Sequence, residues 1–327
     1  MQAVTTLSNE LPQEEEREEV EREDKYQRLL ARLSHQSVVK HYDAYADIPW
    51  DDPAYAIDPE DPRFIMHEDE PLGATSWYKS QPEAVRARIG LHTVATFARI
   101  GYTFESILKR GILEYAGKLP LDAPEFRYAY HEVIEEAQHA LFFHEFVKRT
   151  GLNIRLPRIV RIGERQVIRM GRTFPELFFM FVLSGEDPID WMQRQLLQSG
   201  RTIHPLLERI SRIHITEEAR HISFARHFLR RNVPRLGPIK RNVLRIRTPI
   251  VFKVASQLMM QPSQHVIRTY AIPKAVIDEA YGPGSNAKQR TLEALRKPRE
   301  LCWEIGVLDD NWARLWKVLG IYARRGE

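Results

Sequence analysis

The sequence holds a single cysteine, Cys302, among 327 residues. That excludes an intramolecular disulfide and a thiolate metal cluster, so any metal here must be held by histidine and carboxylate. Long apolar runs are missing too: no stretch of about 18 apolar residues occurs, so no membrane span is expected. The acidic start of the chain does not resemble a secretory signal, and the expected location is the cytoplasm. Strand-like alternation is almost absent. Charge of one sign is not in large excess, with 48 basic against 44 acidic residues. Neither a nucleic-acid module nor interleaved exposed aromatics accompany the basic residues, so nucleic acid is not an expected partner. What is present is apolar material, 43% of the chain with 10% aromatic, enough for a sizeable core.

Three regions are expected to form one structural domain. Residues 1–80 read as a polar segment followed by a wrap or lid. A charge-dense run from Glu14 to Lys25 leads into Tyr26, Leu29, Leu30 and Leu33, which reads as a frayed or surface-lying helix. Turn-forming Asp and Pro in Trp50-Asp51-Asp52-Pro53 and Asp58-Pro59-Glu60-Asp61-Pro62 then argue for ordered loop. Residues 81–232 carry four long helical patterns. The first runs from Gln81 to Ala116, with Pro82 at the first helical position, and the second from an Asp122 cap to Thr150. The third runs from about Thr173 to Gly200, with a kink expected at Pro188, and the fourth from Ile203 to Asn232. A basic connector, with Arg158, Arg161, Arg165, Arg169 and Arg172 at helical spacing, joins the second pattern to the third. Residues 233–327 read as further helices packing on this bundle, with Trp303, Trp312 and Trp316 as packing residues. The class is all-α, a four-helix bundle with additional helices and an N-terminal wrap.

The fourth pattern carries the chemistry. His214, Glu218 and His221 fall at i, i+4 and i+7, on one face that also holds Leu207, Ile210, Ala225 and Phe228. A carboxylate and two imidazoles on a core-facing stripe are costly unless paired, and one metal ion satisfies all three. The second pattern repeats the E-x-x-H spacing with Glu136 and His139, again on an apolar stripe, through Ala140, Phe143 and Phe146. Residues at i and i+3 lie about 60° apart around a helix, close enough to reach one ion or two adjacent ones. One such motif is weak evidence; two on core-facing stripes are strong.

A di-metal carboxylate site needs one more Glu from each of the other two helices. On the first, Glu83 is accounted for by the helix start, whereas Glu105 stands mid-helix between Phe97, Ile100, Ile107 and Leu108 and needs a partner. On the third, Glu176 lies in the first turn, which leaves Glu186 as the choice and Asp187 and Asp190 as alternatives. Four carboxylates against two divalent ions sum to zero, and a neutral cluster tolerates burial. Oxygen and imidazole donors without thiolate suit iron, with manganese the alternative.

With Glu105, E-A-Q-H at 136–139, Glu186 and H-x-x-x-E-x-x-H at 214–221, the chain resembles the ferritin-like di-iron oxygenases of the p-aminobenzoate N-oxygenase family. The match covers about residues 81–232, and His214 stands where that family has its third histidine. The resemblance implies seven ligands to two irons: Glu105, Glu136, His139, Glu186, His214, Glu218 and His221. It implies Glu135 and Glu217 as acids orienting the histidines. The expected chemistry is reduction of the co-substrate O2 at two ferrous ions to the peroxide level, then attack on a substrate nitrogen or carbon. Oxygenation of an amine leads. The run E-E-A-R-H is also shared with acyl-carrier-protein desaturases and di-iron hydrocarbon monooxygenases, so fatty-acyl desaturation or C–H hydroxylation is the alternative, with Arg220 then partnering an acid such as Glu135. Iron storage without catalysis is the reading from another class. Expected partners are a small-molecule substrate, an external electron donor such as a ferredoxin or a reductase, and a second copy in a homodimer.

Overall fold

The computed structural model describes residues 7–157, 160 and 163–326, with side chains described from residue 16 onward. Arg158 and Arg161 of the basic connector therefore lie outside the described residues. Among those described there is helix and no strand. Two antiparallel-type hairpins make the centre: α3 (Glu83–Ala116) with α4 (Pro124–Arg149), and α6 (Pro175–Gln198) with α7 (Pro205–Asn232). Short turns join the members of each pair, and the crossover between pairs includes α5 (Glu164–Thr173), which packs on α3 and α6.

Local chemistry sets the helix boundaries. Pro124, Pro175 and Pro205 each sit in the first turn, where the missing N–H costs nothing and φ is already helical. At α4 the residue before the helix is Ala123 rather than the expected Asp122, because Pro124 fixes the start and the turn from Pro120 already holds the Ala123 N–H. α3 likewise begins one residue later than expected, with Pro82 as the flanking residue. Pro188 does not end α6, which continues through it to Gln198. The crossing of α5 over α3 is close: a Cβ on Gly171 would lie 2.0 Å from the Gly111 carbonyl oxygen, so the two backbones meet where only glycine fits.

The remaining elements cover this centre. α1 (Leu7–Val39) buries Tyr26, Leu29, Leu30 and Leu33 against α4 and α7, so the charge-dense helix is anchored by its second half. Residues 40–75 form loops with two single 3₁₀ turns, followed by the short α2 (Ser76–Ser80). After the bundle, α8 (Pro238–Met260) packs on α6, and five shorter helices follow, ending with Ala313–Val318. There Trp316 is fully buried and meets the Phe252 ring edge-on. No described helix is long and apolar enough to cross a membrane.

Candidate metal centre

Each of the four central helices contributes a polar exception to its buried stripe. Glu105 comes from α3, Glu136 and His139 from α4, Glu186 from α6, and His214, Glu218 and His221 from α7, and all seven are fully buried. Their donor atoms converge in three overlapping groups within which the atoms lie no more than 4.8 Å apart: Glu105, His139, His214 and Glu218; Glu136, His139, Glu218 and His221; and Glu105, Glu136 and Glu186. Nδ1 of His139 is 3.0 Å from Glu218 Oε1 and 3.4 Å from Glu136 Oε2, and Nδ1 of His221 is 3.0 Å from Glu136 Oε1. Nε2 of His214 lies 3.5 Å from Glu105 Oε1 and 3.7 Å from Glu218 Oε1.

Close approach is not the same as bonding. Both oxygens of Glu136 and of Glu186, one each of Glu105 and Glu218, and Nδ1 of His139 are buried without a hydrogen-bond partner. Buried polar groups left this way cost about 1–3 kcal/mol each, more when charged. Seven such atoms on five residues at one point fit a set of donors aimed at cations between them rather than at one another. The residues present therefore fit a pair of metal ions.

The far side of every ring is held. Nε2 of His139 is 3.0 Å from Glu217 Oε2, and Nε2 of His221 is 2.7 Å from Glu135 Oε2. Nδ1 of His214 is 2.9 Å from Gln193 Oε1. A ring N–H given to an acceptor behind it fixes the tautomer and turns the other nitrogen inward. Arg220 ties the two acids together, its Nη2 donating to Glu135 at 2.7 Å and to Glu217 at 3.4 Å. The N-terminal wrap closes over the same group: the Tyr42 amide donates to Glu217 Oε1 and the Ala44 amide to Gln138 Oε1.

For the side chains by themselves, electrostatics sort the cluster. Burial, then the charge of Glu136, pushes the Glu105 carboxyl well above its usual range, and burial and Glu218 do the same to Glu186. Burial also opposes charge on Glu136 and Glu218, but the surrounding imidazoles prevail and hold both down, Glu136 to about 2. His139 and His221 are raised by their carboxylate partners against the cost of burial. Burial holds His214 down to about 3, a neutral imidazole at physiological pH.

The candidates not drawn into this group have other partners. Asp187 pairs with Arg226, and Asp190 with Arg194 at 2.8 Å. Glu83 is exposed in the first turn of α3, and Glu176 lies in the first turn of α6. Two residues escaped the sequence reading. Gln193 stands seven residues after Glu186, two turns along the same face, and that spacing was the available signal. Glu132, one turn before Glu136, is fully buried with both oxygens unpartnered, and burial pushes its carboxyl well above the usual range.

A long-helix bundle with a buried Glu/His cluster, one E-x-x-H on each of two helices and a Glu from each of the others defines the ferritin-like proteins with a two-metal carboxylate centre. Within that class, the model of the P-aminobenzoate N-oxygenase AurF family matches residues 23–306, and the chain belongs to this family of di-iron oxygenases. It is 34% identical over 297 residues to an uncharacterized protein of Mycobacterium bovis, and to the same extent to uncharacterized proteins from two strains of Mycobacterium tuberculosis. The match covers 90% of this chain and 87% of each relative. No solved structure matches the chain.

Proposed function

We propose that the chain is a non-haem di-iron monooxygenase that oxygenates the nitrogen of an amine, foremost an arylamine. Glu105, Glu136, His139, Glu186, His214, Glu218 and His221 would hold the two ions, with iron preferred and manganese the alternative. Bound iron would supply the two-electron reduction of O2. The protein's own part is to keep the surroundings dry, to orient the rings and to balance charge. Phe142 and Phe143 pack their rings against His214, at 6.1 and 5.2 Å between centroids, and keep water from that side. Glu135, Glu217 and Gln193 hold the three imidazoles inward. Four carboxylates with three neutral histidines match the charge of two divalent ions, so the loaded cluster is tolerable in a buried site.

The observation that carries this reading is the third histidine. His214 is fully buried, turned to the carboxylates and held from behind by Gln193, and the family to which the chain belongs is named for N-oxygenation. An external electron donor, a small-molecule substrate, a homodimer and a cytoplasmic location belong to the same proposal. A second reading, desaturation or C–H hydroxylation of an acyl chain, draws on the Arg220–Glu135 pair within E-E-A-R-H. The two separate in one experiment. Iron-loaded protein is given O2, a chemical reductant and, in parallel, an arylamine panel and a fatty-acyl panel, with products read by mass. Oxygen added at nitrogen supports the proposal; untouched amines with hydroxylated or desaturated acyl chains would falsify it.

A further inference from the structure

Outside the cluster, a cleft of about 650 Å³ opens between α1 and α7. That is within the range of about 300–1,000 Å³ of small-molecule sites. Arg32, Lys40 and Arg220 supply its charge, and Leu33, Val39 and Ala219 its apolar surface. No carboxylate lines it, and neither does any of the seven clustered residues. Arg22, Lys25 and Arg28, earlier on α1, are paired with Glu18, Glu21 and Asp24, whereas among the described residues Arg32 and Lys40 have no ion-pair partner.

Arg220 adds an independent observation. It is 5% exposed, and its Nε is buried without a hydrogen-bond partner although its Nη2 serves Glu135 and Glu217. A guanidinium presents its donors as a planar fork suited to carboxylate, and an unmet buried N–H costs free energy until an acceptor reaches it. Cations without counter-charges, an unmet donor at the wall and apolar surface between them describe one kind of ligand.

We propose that this cleft binds a small amphipathic anion, a carboxylate on an aryl or alkyl body, with its head group drawn to Arg32, Lys40 and Nε of Arg220. The site is separate from the metal cluster. Occupancy would reach the cluster through Arg220, which also holds the acids behind His139 and His221.

The test is calorimetric titration of the full chain with octanoate and with benzoate, using octanamide and benzamide as neutral counterparts. At least one acid is expected to bind saturably, at least about tenfold more tightly than its amide, and the tighter of the two identifies the body as alkyl or aryl. The double variant Arg32→Ala/Lys40→Ala, at two exposed positions, is expected to weaken that binding about tenfold or more and to leave the metal content per chain unchanged. Equal binding of acid and amide, binding by neither acid up to about 10 mM, or an acid affinity unmoved in the double variant would each overturn the proposal. Binding is read without turnover, so its failure is distinguishable from failure of the oxygenase reading.

Discussion

Loading the cluster with two divalent ions should release protons near pH 7, more than one and up to about four per chain. Burial and neighbouring carboxylates raise Glu105 and Glu186, and their carboxylate partners raise His139 and His221, so before metal binds all four lean towards the protonated form. Glu136 and Glu218 are already ionised and His214 is already neutral, so they give up nothing. Up to two carboxyl protons and two imidazolium protons therefore leave for seven donors to face metal. The sign follows directly. Groups that are protonated before binding and stripped by it make affinity rise with pH and fall as acid is added. Each proton released per ion weakens binding about tenfold when the pH falls from about 7 to about 6, so two per ion is the upper limit at about 100-fold. Anaerobic titration with Fe(II) or Mn(II), in buffers of different ionisation enthalpy, reads the proton count from the slope of apparent heat against buffer enthalpy. Release of one proton or none, with affinity flat between these pH values, would refute the assignment of charge within the cluster.

Other perturbations test separate parts of the structure. Glu136→Ala or Glu218→Ala should lower metal content from about two ions per chain by at least one, as measured by elemental analysis, because each carboxylate belongs to overlapping donor groups. Retention of both ions by either variant would remove the site as drawn. Gln193→Leu takes the acceptor from behind His214 and should weaken metal binding about 10–100-fold with little change in helicity; Gln193→Glu should restore most of it. Gly171→Ala should destabilise the fold by about 1–3 kcal/mol or more in chemical denaturation, because the added carbon meets the Gly111 backbone rather than a side chain that can turn away.

The legibility of this chain divides along a physical line. Periodicity shows which face of a helix a residue occupies, so a charged residue on an apolar face stands out, and Glu105 and Glu186 could be picked against Glu83, Glu176, Asp187 and Asp190. A neutral amide on the same face raises no such alarm, since Gln193 would serve equally well at a half-exposed position. Glu132 was hidden for the opposite reason: in a helix dense with glutamates it passes for a solvated acid, although Tyr128, Glu132 and Glu136 lie on one stripe and all are buried. In α1 the charge of the first half favoured a frayed or surface-lying helix, although Tyr26, Leu29, Leu30 and Leu33, at i, i+3, i+4 and i+7, pack its second half over the bundle. The contact of the wrap with Glu217 had no signal at all, because its donor is the Tyr42 backbone amide and every residue but proline has one.

Arg220 marks the boundary between what one helix can tell and what needs its neighbour. From the sequence, an arginine two residues after Glu218 is as much at home in water as beside Glu135. Only the approach of α4 to α7 brings Glu135 within 2.7 Å of it, and that acid is needed there because it also accepts from His221. Glu135 thus joins the Arg220 guanidinium to the ring of the next residue, His221. Arg220 also lines the cleft beside which α1 carries Arg32 and Lys40. Two hydrogen bonds then run from Arg220, at the cleft wall, through Glu135 to His221. Each link is local, and the connection between them exists only in the packed helices.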